Sequence, residues 1–152
     1  MNTLLYRAWH KGQRKMYRVI GWMEDADSQN TTIYCRDEEL IIHPYMRSEV
    51  ILMQSPGWTD KNGKTIYRDD VVRMFDWEES LEQVMWCDDG FYIVHIHSED
   101  VKPSHMPHDY KGRAESAEVI GDIYTHPEWY TFYTGIEEVD ALLPEKGADH
   151  AK

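Results

Sequence analysis

The run from Leu52 to Met74 constrains this chain most, because an apolar strand-like opening, two turns and a second β-rich segment fall within 23 residues. Asp60 to Gly63 contains an Asn-Gly pair, the strongest short hairpin signal. A type I′ turn needs positive φ at both central residues, and Asn and Gly tolerate that conformation at least cost. Arg68-Asp69-Asp70 then turns the chain into Val71-Val72, whose β-branched side chains suit a buried strand.

The remainder repeats this pattern of short strands and turns. Leu4 to Trp9 and Lys15 to Trp22 form a hairpin across Lys11-Gly12-Gln13, and Thr31 to Arg36 and Val50 to Gln54 read as further strands. Leu40 to Ile42 starts a short strand or helical turn that Pro44 stops. Gln83 to Cys87 and Phe91 to His97 make a second hairpin with Asp-Gly at its turn, and Ala117 to Tyr124 is the last strand. Ser98 to Arg113, with Pro103, Pro107 and Gly112, reads as a surface excursion. Pro127 to Phe132 suits a short helix, and Ile136, Val139, Leu142 and Leu143 recur at helical spacing. The expectation is mainly β: a small barrel or sandwich of short antiparallel strands with a short C-terminal helix. Residues 1–143 read as one domain and 144–152 as a flexible charged tail.

Three blocks carry a family resemblance. Met53-Gln54, Gly57, Asp60 to Lys64, Ile66-Tyr67 and Asp69 to Val72 form the central one. Tyr6-Arg7-Ala8-Trp9 with Lys15-Met16-Tyr17 precedes it, and Glu118 to Tyr124 with His126-Pro127-Glu128 follows. In this order they resemble the YopX family of small phage and prophage proteins, across residues 6 to 129. Ser55-Pro56 stands where that family usually has Tyr-Thr, and Asp69 where it has a turn glycine, so a left-handed corner there is less comfortable. The resemblance implies a phage setting and a mainly β fold, and brings no established reaction.

Charge and composition bound the function. Lys and Arg total 16 against 28 Asp and Glu, a net charge of −12 that repels duplex phosphates. Arg7, Lys11, Arg14, Lys15 and Arg18 nevertheless concentrate in the opening hairpin. No apolar run approaches the roughly 20 residues that span a bilayer, and no signal-peptide pattern opens the chain, so the expected location is the cytoplasm of a bacterial host. Cys35 and Cys87 lack CxxC spacing and read as free thiols, with two acids after Cys87 that would raise its pKa.

Candidate sites are few. His95 and His97 share a strand face, and His105 and His108 follow, a set that could close a metal site in a metal-dependent enzyme. Solvated histidines explain the same spacing, and no cofactor is assigned. Paired acids such as Asp88-Asp89 fit turns better than an acid/base pair, and no phosphate loop or nucleophile elbow occurs, so catalysis has no positive support. Trp58, beside Asp60, Lys61 and Asn62 in a turn, suits either an exposed contact or a cap on the core. Trp129, Tyr130, Phe132 and Tyr133 cluster after the last strand, as at a subunit interface or as a staple of the C-terminal helix to the sheet, whereas Trp9, Trp22, Trp77 and Trp86 suit the core. The favoured reading is a non-catalytic protein-binding module, homo-oligomeric, whose partner is a host or phage protein. The alternative is DNA mimicry, or nucleic-acid binding through the basic hairpin.

Overall fold

β-branched and aromatic residues alternating with polar ones extend into strands, and these assemble into two antiparallel sheets. A computed structural model of the chain describes residues 5–24, 30–74, 80–87, 90–95, 110–129 and 139. The chain is mainly β and divides into two compact units, residues 1–54 and 55–152. Each unit holds one open sheet in place of the closed barrel that short strands also allow.

The first unit contains β1 (Tyr6–His10), β2 (Lys15–Glu24), β3 (Thr31–Arg36), β4 (Ile42–Met46) and β5 (Val50–Gln54), in the order β4-β3-β2-β1-β5. Ala8, Tyr17, Ile33, Cys35 and Val50 bury one face, with Val19, Tyr45 and Leu52 packed against them. Burial pushes the Cys35 thiol up to about 11, in keeping with an inert core thiol. Strand β4 runs through Pro44 instead of stopping before it. It is an edge strand, so the missing Pro44 N–H faces away from β3 and costs no ladder bond.

The second unit contains β6 (Asp70–Met74), β7 (Ser80–Cys87), β8 (Gly90–His95), a helix α1 (Tyr110–Ser116) and β9 (Glu118–Asp122), with sheet order β8-β7-β6-β9. Its core joins Ile66, Val72, Met74, Val84, Ile93 and Val119 with Ala114 and Ala117. Those two alanines are fully buried, and their packing holds a helical turn where Gly112 suggested surface loop. Pro127–Trp129 is a 3-10 turn, the rest of the helix expected there lies outside the described residues, and Val139 is helical and buried. Among the described residues no helix is long and apolar enough to cross a membrane.

Candidate functional site

The motif at the centre of the chain is built around one carboxylate. Asp60 is buried, and its Oδ1 accepts the N–H groups of Asn62 (2.8 Å) and Lys64 (2.9 Å) while Oδ2 accepts that of Val119 (3.0 Å). Burial pushes this carboxyl up, but the three N–H donors outweigh it and hold it below the usual carboxylate range. Gly63 N–H donates to the Asp60 carbonyl and Asp60 N–H to that of Lys64. Gly63 alone of the central pair has positive φ (+78°), so the turn is a three-residue loop ending in a left-handed residue, not the expected type I′. Lys61, Asn62 and Lys64 ring an exposed tip, with Lys61 Nζ 3.7 Å from Glu118.

The following corner is also architectural. Asp69 adopts a left-handed conformation (φ +71°) despite its side chain. Its buried carboxylate accepts the Tyr124 hydroxyl (2.6 Å) and Arg68 Nε (3.1 Å), and its N–H donates to the Val84 carbonyl. Burial and then the neighbouring Asp69 charge raise the Tyr124 phenol well above its ordinary value. Ser55 likewise serves the turn: its hydroxyl donates to the Ile66 carbonyl (2.6 Å) and accepts from Gly57 N–H.

Trp58 is half-buried against the second unit's core, its ring edge-on to Phe91 at 6.2 Å, which favours the capping role. Trp129 tilts over His126 at 4.5 Å, and Gly121 leaves room for both rings, since a Cβ there would lie 2.9 Å from each. Tyr130, Phe132, Tyr133, His97, His105 and His108 lie outside the described residues, as does Trp77. His95 is placed on β8 by its backbone only.

The feature that sequence reasoning missed lies in the first unit. Among the described residues, every exposed large apolar side chain falls between positions 20 and 46: Ile20, Trp22, Met23, Leu40, Ile41, Ile42 and Met46, each 46–69% exposed. Trp22 is therefore not a core residue; it meets Tyr6 edge-on at the sheet surface. On β4 the usual alternation is inverted. His43 and Tyr45 turn inward, stacked 5.8 Å apart, while Ile42 and Met46 face water.

A polar network pins that inverted register. Tyr45 Oη donates to Tyr17 Oη (3.2 Å), Gln13 Nε2 donates to Tyr45 Oη (3.0 Å), and Tyr17 donates to Gln13 Oε1. Burial, then the Tyr45 hydroxyl, push the Tyr17 phenol up to about 12. His43 Nε2 lies 2.8 Å from Asp37 Oδ2, and this contact leads the causes that lower the Asp37 carboxyl. Strand pairing along the free edge of β4 is blunted: Pro44 lacks a donor, and Met46 N–H is taken by the Glu49 carboxylate at 2.7 Å. What remains available is the apolar face.

One turn residue sharpens this picture. Leu40 is left-handed (φ +65°) and 69% exposed, an uncomfortable conformation for a bulky side chain that faces water. The sequence signal was present in Leu40-Ile41-Ile42, but an apolar run reads equally as core.

Comparison with known proteins gives one family and a likeness in fold. No curated protein matches the chain. The solved structure of protein yopX from Bacillus subtilis is similar over 85% of this chain and 98% of that one, with 20% identity and a TM-score of 0.51. Protein EF1440 from Enterococcus faecalis is similar over 84% and 98%, with 19% identity and a TM-score of 0.49. The family model described as YopX protein matches residues 5–129. The chain belongs to the YopX family.

Proposed function

We propose that this protein is a non-catalytic binding module that docks a protein partner, of host or phage origin, on the outer face of β2, β3 and β4. The setting in this reading is the cytoplasm of a bacterium that carries the phage or prophage. The observation that carries it is the inverted β4, with His43 and Tyr45 inward and Ile42 and Met46 exposed. A chain selected only to fold would reverse that pattern. Covering the exposed half of one such side chain contributes about 1–1.5 kcal/mol, against roughly 0.2–1 kcal/mol for an exposed ion pair, so the apolar face supplies affinity and charge supplies choice. The exposed tip of Lys61, Asn62 and Lys64 presents no comparable apolar surface.

The test places a photo-crosslinking residue at Met46 or at Lys61 in host cells that carry the phage. The reading expects one discrete adduct from position 46, lost when Ile42→Ser is added. Adducts from position 61 alone would move the contact to the second unit and refute it.

A further inference from the structure

The same outer face is where basic side chains line up. Register sets Ile42 opposite Arg36, Arg36 opposite Arg18 and Arg18 opposite Arg7. Paired residues share a face, and adjacent strands lie about 4.8 Å apart, so the guanidinium groups form one short row. The neighbouring pair Val19 and Cys35 turns inward to the core, which puts Arg18 and Arg36 outward with Ile42. Like charges directly opposite one another are destabilising. No carboxylate relieves this pair: among the described residues, neither the Arg18 nor the Arg36 side chain has a hydrogen bond or ion pair. Arg7, at the end of the row, has partners of its own.

Acids are not scarce in the chain; they are elsewhere. Residues 1–54 hold seven basic and seven acidic residues, and residues 55–152 hold nine and 21. Two arginines kept side by side and unpaired in so acidic a protein are poised for an anionic ligand. The next row on that face, about 7 Å along each strand, is Pro44 and Tyr34, and beyond it lies Met46, Thr32 and Met23. An occupant must therefore offer carboxylates at one side and apolar side chains at the other.

We propose that this face binds an acidic, amphipathic segment of a different protein, its carboxylates on Arg18 and Arg36 and its apolar side chains on Ile42, Met46 and Met23. This rests on the docking reading above and names the partner's chemistry. A second copy docking by the same face would confine two unpaired arginine pairs in one interface, an uncompensated burial of charge. A nucleic acid would answer the arginines but leave Met23, Met46 and Ile42 uncovered, and Tyr34 alone among the residues named on this face offers a ring on which a base could stack.

Selection of a random peptide library on the immobilised full chain tests it. The expected binders alternate Asp or Glu with large apolar residues. They should bind R18E/R36E and R18Q/R36Q at least about tenfold more weakly, and I42S/M46S not measurably. All of these positions are wholly or partly solvent-exposed, and unchanged circular dichroism of each variant confirms folding. Binders that need Ile42 and Met46 but carry no acidic enrichment would overturn the charge inference and leave the docking reading standing. Binders indifferent to all four positions, or no binders, would overturn both. Arg18-dependent binding of an oligo-dT strand, or an Ile42-dependent dimer in sedimentation velocity, would assign the face to nucleic acid or to self-association instead.

Discussion

Two turns in this molecule share one design, and their fourth residue tells them apart. In Asp37 to Ile41 and in Asp60 to Lys64, the aspartate carbonyl accepts the N–H three residues on, and the aspartate N–H reaches the carbonyl four residues on. In both, the carboxylate Oδ1 accepts two backbone N–H groups, from Glu39 and Ile41 in one and from Asn62 and Lys64 in the other. In both, the fourth residue is left-handed. It is Gly63 in the second unit and Leu40 in the first. Glycine fits that position without penalty, whereas a leucine there costs about 1–2 kcal/mol and presents its side chain to water. The second unit optimises its turn for folding, and the first spends stability on an exposed apolar tip beside Ile41 and Ile42.

The largest test of that contrast is Asp60→Ala. It strips the acceptor from three backbone donors, one of them on β9, with the carboxylate itself buried. Stability should fall by about 2–4 kcal/mol, read by urea unfolding. Asp37→Ala opens the matching turn in the first unit, but its third contact is the partly exposed His43 ring, so the loss should be smaller. Equal losses would mean that the two turns carry the same structural weight. Acid should find the same groups. Both carboxyls are lowered in the folded state, so their stabilisation is complete above the unfolded carboxylate pKa near 3.9 and is lost as pH falls through their lower folded values. The D60A variant should show a shallower loss of stability below about pH 4 than the wild type.

Next in size is Tyr124→Phe. Its hydroxyl donates to Asp69 in a fully buried setting, and its removal leaves Arg68 Nε donating to the same carboxylate oxygen. A loss of about 1–2 kcal/mol in thermal or urea unfolding is expected. No change would show that the left-handed Asp69 corner is held by backbone alone, through its bonds with Val84 and Ile123.

These architectural residues divide what the sequence could reveal from what it could not. Strands Thr31–Arg36 and Val50–Gln54 have the expected bounds residue for residue, and the hairpin of β7 and β8 lies where Asp-Gly placed it. Local turn chemistry and period-2 patterning are short-range signals, so they survive in sequence. Helix α1 is not legible, because Ala114 within it and Ala117 just after it hold it in place through burial against distant strands. The candidate face was hidden for a different reason. An exposed Ile42 and a buried one are the same letter, and only the inward pull of Tyr17, Tyr45 and His43 decides which way β4 faces. Asp60 reads in the sequence as a contact residue beside Trp58, whereas its burial and its three backbone donors, which make it the organiser of the turn, are visible only in the fold, since a buried and an exposed aspartate also read alike.

The smallest effects carry the sharpest comparison. Gly63→Ala adds a side chain at φ +78°, where nothing lies within 4 Å of the new Cβ, so the whole cost is backbone strain, about 1 kcal/mol. Leu40→Gly runs the other way. Relief of a left-handed leucine returns about 1–2 kcal/mol, and the added freedom of glycine in the unfolded chain removes about 0.5–1 kcal/mol. The net is a stabilisation of roughly 0.5 kcal/mol, small but opposite in sign to almost every substitution that removes a large apolar side chain. If L40G unfolds at higher urea while the crosslink from position 46 weakens, Leu40 is held in strain for contact. If L40G loses stability, the leucine packs on its own sheet, and the two turns differ by composition alone.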